Sequence, residues 1–175
     1  MGYLLAGMIF ILLNITIRLG WLRIVLLPDV IGYLLLAVKM PEKLKKGSRK
    51  FASVQKASIA LIFVSIAVGI QRALAKSGTM MVIAYVLNLV MLTAGLAVSY
   101  CLTAGFGEIQ KNARRNLQVP RLKATWLGMT AVTLIDGLCG WVPVLGNFCH
   151  AAAGLITVCY LILFYTTERL HEQLV

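Results

Sequence analysis

Between Thr79 and Phe106 the chain has no Asp, Glu, Lys, Arg or His. This run of mostly Met, Val, Leu, Ile and Ala constrains the fold more than any other stretch. A bilayer core of about 30 Å takes roughly 20 apolar residues to cross as a helix. In lipid the backbone must satisfy its own polar groups, which leaves helices and closed barrels. Further apolar runs extend from Tyr3 to Ile17, Ile24 to Val38, Ala57 to Ile70, Ala124 to Val142 and Phe148 to Tyr165. The 175 residues are 60% hydrophobic with a mean hydropathy of +0.87, well above the roughly 45–50% of soluble domains. The expected fold class is an all-α polytopic membrane protein with about six transmembrane helices. One membrane domain covers 1–175, with spans near 3–20, 24–40, 54–72, 79–106, 124–142 and 147–166. The first two runs are short, and are read as two full spans or as a re-entrant hairpin. Met1-Gly2-Tyr3 lacks the basic region of a signal peptide, and Ala6 stands where a myristoylation motif needs Ser or Thr.

The net charge is +11. The cations lie between apolar runs rather than on a soluble basic face, so nucleic acid is not an expected partner. Two connections, 41–53 and 107–123, hold most of them. With six alternating spans these loops and both termini fall on one side with 13 of the 17 Lys and Arg residues, leaving Arg18, Arg23, Arg72 and Lys76 on the other. The positive-inside rule makes the basic side cytoplasmic, in a multi-pass plasma-membrane protein. Lys39 to Lys56, opposed only by Glu42, is read as positive-inside charge against anionic lipid headgroups, with a docking site for a cytoplasmic partner as the alternative.

Pro28-Asp29 interrupts the second apolar run. Pro suits the first turn of a helix, and Asp complements its positive N-terminal dipole. Asp29 is therefore expected to start a helix and to form a structural ion pair with Arg18 or Arg23, Asn14 sharing the face of Arg18. Gly95, Ser99 and Thr103 recur every four residues and predict close helix approach, as do Ser65 and Gly69. Pro120 is expected to end a helix that continues from the fourth run. The tail from Glu168 to Gln173 is expected to end the last helix in water.

Ionisable groups at membrane depth are functional candidates by default. Asp136 lies inside an apolar run with no base beside it, and His150 opens the next one. Antiparallel helices joined through the short Gly137–Asn147 connection would bring the two to one level, as a proton relay or ligand site on one reading and a structural hydrogen bond on the other. Asn147 and Asn88 complete the candidate polar site. Cys139 and Cys149 flank the same turn and are read as a disulfide or as apolar filler. Cys149 and His150 are adjacent, so on a helix they do not face each other, and a nucleophile with its base is not expected. The four cysteines form no CxxC or metal spacing, and no phosphate-binding loop is present. Neither an enzyme nor a cofactor is expected.

The stretch Leu27-Pro28-Asp29-Val30-Ile31-Gly32-Tyr33-Leu34-Leu35, followed by Lys39 and a basic segment to Phe51-Ala52, resembles a family of uncharacterised small multi-span membrane proteins of Firmicutes. Ala104-Gly105-Phe106-Gly107-Glu108-Ile109, with Leu117 and Trp126 downstream, is similar to their middle loop. Lys39-Met40-Pro41 departs from the Gly-Leu-type ending of that pattern. The resemblance implies a Gram-positive plasma membrane and no mechanism. In size and span number the chain is also similar to the substrate-binding membrane components of energy-coupling-factor vitamin transporters, although the first run has no convincing Ala-x-x-x-Ala motif. Two function classes follow. The first is a transport-related subunit binding a small solute in its outer half, where the polar residues concentrate. The second is a non-catalytic interaction or regulatory protein packing against a membrane partner or a second copy.

Overall fold

The computed structural model describes residues 2–13, 16–19, 22–25, 29–74, 78–114, 116–139 and 143–173. Its elements are α1 (Tyr3–Leu12), β1 (Thr16–Leu19), β2 (Leu22–Val25), α2 (Asp29–Lys39), α3 (Glu42–Gly47), α4 (Arg49–Leu74), α5 (Gly78–Ala113), α6 (Val119–Cys139) and α7 (Pro143–Glu172). Among the described residues three helical segments are long and apolar enough to cross a membrane: Arg49–Gln71, Val86–Ala113 and Phe148–Glu172. The 21-residue α6 has sufficient length, but it carries Arg121 and Lys123 near its start and Asp136 near its end.

The described chain is overwhelmingly helical, as expected, and departs from that only at one short ribbon near its beginning. α1 and α2 have 10 and 11 residues. At 1.5 Å per residue each reaches only about 15–17 Å, so neither crosses about 30 Å alone. Where the first span was expected to end near residue 20 and the second to begin near residue 24, β1 and β2 pair antiparallel with Arg18 opposite Arg23. Thr16, Ile17, Ile24 and Val25 are β-branched, which favours a strand once the helix has stopped.

α1 and α2 pack side by side where two glycines meet. A Cβ at Gly32 would lie 2.7 Å from the Gly7 carbonyl oxygen and 2.6 Å from the Ile11 side chain. Tyr33 and Leu36 are buried beside this crossing. From α4, the Gln55 side-chain amide donates to the Ala37 carbonyl at 2.7 Å. The Lys39 ammonium lies 5.7 Å from the centre of the Tyr3 ring.

A cluster of aromatic rings fills the core at the basic end. Phe51 of α4, Phe106 of α5 and Phe164 of α7 are fully buried. Their rings meet edge to face at 5.3 Å and 5.6 Å. Gly105 admits Phe51, since a Cβ there would stand 2.6 Å from its ring. Toward the opposite end apolar side chains point outward: Phe63 is 70%, Phe148 74% and Leu155 71% exposed. Such surfaces suit hydrocarbon rather than water.

Both basic connections are more ordered than loops. The first holds α3 and the start of α4. In the second, α5 continues only to Ala113, and α6 begins at Val119. Pro120 thus occupies the first turn of α6, where its missing N–H costs nothing, and does not itself end α5. The break falls at Arg114 and Gln118, which take the positive φ values of 50° and 58°. The tail is likewise not wholly in water. α7 runs to Glu172, with Glu168 and His171 buried and the His171 ring 6.2 Å from that of Phe106.

Candidate functional site

α6 and α7 are antiparallel neighbours, and their packing sets the polar site at the end remote from the basic connections. His150 Nδ1 lies 3.1 Å from Asp136 Oδ2. The Asp136 side chain is 22% exposed and that of His150 84% exposed. When Nδ1–H donates to the carboxylate, Nε2 is left as an outward-facing acceptor. A carboxylate-oriented imidazole of this kind can take and release a proton or accept a hydrogen bond from a polar ligand. The local sequence supplies the geometry: Asp136 lies near the C-terminus of α6, His150 two turns into α7, and only a short connection separates the helices.

The structure brings together Asp136 and His150 of the sequence candidates. Asn147 sits one turn before His150 on α7, its side chain outside the described residues. Asn88 is exposed on α5. Asp29 is the first residue of α2 and half-buried, in accord with a helix-start role. Arg18 and Arg23 occupy paired strand positions, but their side chains, and with them the expected ion pair, lie outside the described residues. Asn14 and the Cys139 side chain also lie outside them. Cys149 is buried.

The small-residue pattern on α5 leads to a polar junction that sequence reasoning missed. Gly95 lets Ile11 of α1 approach, a Cβ there meeting its side chain at 3.1 Å. Ser99 accepts from the Trp126 indole N–H of α6 at 2.9 Å. The Thr103 hydroxyl and the Tyr160 hydroxyl of α7 are 3.0 Å apart, and Tyr160 also donates to the Ser99 carbonyl at 3.2 Å. Ser99, Thr103 and Tyr160 are buried, so the bonds satisfy groups that would otherwise be costly in an apolar interior. The expected counterpart on α4 makes no such contact: Gly69 is exposed, and a Cβ there would meet nothing within 4 Å.

A second missed cluster joins the basic end. Ser48 caps α4 by accepting the Lys50 backbone N–H at 3.2 Å. Its hydroxyl donates to Glu108 Oε2 of α5 at 2.5 Å. The other oxygen of Glu108 pairs with Lys50 Nζ at 3.2 Å. The available signal was Glu108 itself, the lone acid in a basic connection.

Among the described residues no group of three or more His, Cys, Asp or Glu side chains has a metal-binding arrangement. Compared with protein-family models, curated proteins and solved structures, the chain matches none.

Proposed function

We propose that the chain is a non-enzymatic, six-span protein of the plasma membrane with both termini cytoplasmic, acting as a transport-related subunit that binds a small polar solute in its outer half. The observation that carries this reading is the Asp136–His150 contact, with an exposed imidazole at the end remote from the basic connections. In this reading α1 and α2 are either the first two short spans or a re-entrant hairpin, and α6 supplies another crossing. Asp136 orients His150, while His150 meets the solute or its proton. The short span-like beginning and the early Pro-Asp-x-Ile-Gly-Tyr signature are in keeping with the small Firmicutes membrane proteins that the chain resembles.

The test is native mass spectrometry of the protein extracted in mild detergent. A retained small molecule, lost in Asp136→Ala and in His150→Ala, is the expected result. Retention unchanged in both variants would remove the pair from the site. A stoichiometric membrane partner or second copy with no small molecule would favour the interaction protein, a reading supported by the open Gly69 face of α4.

A further inference from the structure

The two basic connections meet at one end of the bundle. The Ser48–Glu108–Lys50 link ties the start of α4 to α5. Gly47 of α3 lies against Ile109, where a Cβ would come within 3.0 Å. Gln110 of α5 accepts the backbone N–H groups of Leu117 and Val119 and so fixes the start of α6. Around these anchors Lys43, Lys46 and Arg49 on one connection, and Lys111, Arg121 and Lys123 on the other, are exposed. None of these six forms a salt bridge among the described residues. Glu42 and Glu108 are already engaged by Lys45 and Lys50.

We propose that this end is a preorganised binding surface for the phosphate-bearing headgroups of anionic lipids. It rests on the reading that the bundle spans a membrane. Position favours lipid over a soluble partner. Arg49 opens one of the long apolar segments and Lys111 lies two residues before the end of another, which sets both charges at headgroup depth. Leu44, fully buried between Lys43 and Lys45, holds α3 against the bundle. The cations are spread over two connections rather than gathered in a cleft. The cavity at Asn116, Gln118, Pro120 and Arg121 contains a single cation. The Leu117 and Val119 amides beside it are engaged with Gln110, and Gln118 N–H donates to Asn116, so this is not an enclosed phosphate site. A juxtamembrane Lys or Arg strengthens binding to an anionic leaflet about fivefold. Holding the cations in one geometry lowers the ordering cost of each contact.

The full chain in detergent is offered equal phosphatidylglycerol and phosphatidylcholine, and retained lipid is read by native mass spectrometry. The wild type is expected to retain phosphatidylglycerol at least about fivefold over phosphatidylcholine. Replacing the exposed Lys43, Lys46 and Lys123 by Gln should bring that preference down toward equal retention of the two lipids. Ser48→Ala changes no charge, yet should lower it about threefold by releasing α3 and α4 from Glu108. Arg72→Gln with Lys76→Gln, the two cations that follow the third apolar run in sequence, should leave it within about twofold. Equal retention of the two lipids overturns the proposal, as does an equal loss from the Arg72/Lys76 pair. An unchanged preference in folded Ser48→Ala overturns the preorganisation. If Ser48→Ala does not fold, the exposed-lysine variants still decide the surface. An acidic protein displacing the lipid assigns the surface to that partner instead. Flotation with pure phosphatidylcholine vesicles separates the underlying reading: failure to insert there removes the membrane assignment, whereas insertion without headgroup preference removes only this proposal.

Discussion

At Gly32 a single methyl group has backbone to displace, not merely a flexible side-chain tip. The clash would fall on the Gly7 carbonyl and on Ile11 together. Gly32→Ala is therefore expected to destabilise the α1–α2 pair by about 1–3 kcal/mol, seen as a lower melting temperature in detergent. Gly154→Ala, at a position with open space, is the matched control. An unaltered melting temperature in Gly32→Ala would mean that α1 and α2 do not pack at this distance. The glycine was visible in sequence beside Pro28-Asp29, but its reason was not, because Gly7 lies on another element. Asp136 and His150 were legible as a pair, since one short connection separates them. Ser48 and Glu108 were not, being 60 residues apart; a lone acid among cations says that a partner is wanted without saying which.

Among the elements, α4, α5 and α7 follow from uninterrupted apolar length, and the backbone hydrogen bonds of each close within its own segment. The beginning is different. Residues 16–25 are apolar enough to extend a helix, and the choice of ribbon depends on cross-strand pairing that a linear hydropathy pattern does not contain. The α5–α6 connection shows the same limit: Pro120 correctly marked a boundary, but on the starting side of the next helix. Gln118 there holds φ at 58°, a left-handed conformation that costs an L-residue about 1–2 kcal/mol and glycine little. Gln118→Gly should accordingly preserve or raise thermal stability, whereas Gln118→Val should lower it by about 1 kcal/mol or more. Equal stability of the two variants would show that this backbone angle is not maintained.

For the whole molecule, the joined basic connections make a topological prediction. In a background with all four cysteines replaced, Lys46→Cys and Lys123→Cys should resist a membrane-impermeant maleimide in intact cells and react after permeabilisation. Lys76→Cys should react in intact cells. Labelling of Lys46→Cys and Lys123→Cys from opposite sides would contradict their shared end, and reversal of all three would invert the orientation derived from the positive-inside rule.

The sequence by itself determined that the chain is mainly helical, that several segments suit a membrane, and which segments carry the positive charge. These are properties of composition and length, and they need no knowledge of neighbours. It also marked Asp136 and His150, because a charge inside an apolar run is conspicuous and its partner was close along the chain. Tertiary structure alone decided that α1 and α2 are short and joined through a ribbon, that Glu168 and His171 turn inward, and that Ser99, Thr103, Trp126 and Tyr160 meet. Each depends on contacts between distant segments, and such contacts override local preference when they bury a polar group with its partner or bring two backbones together.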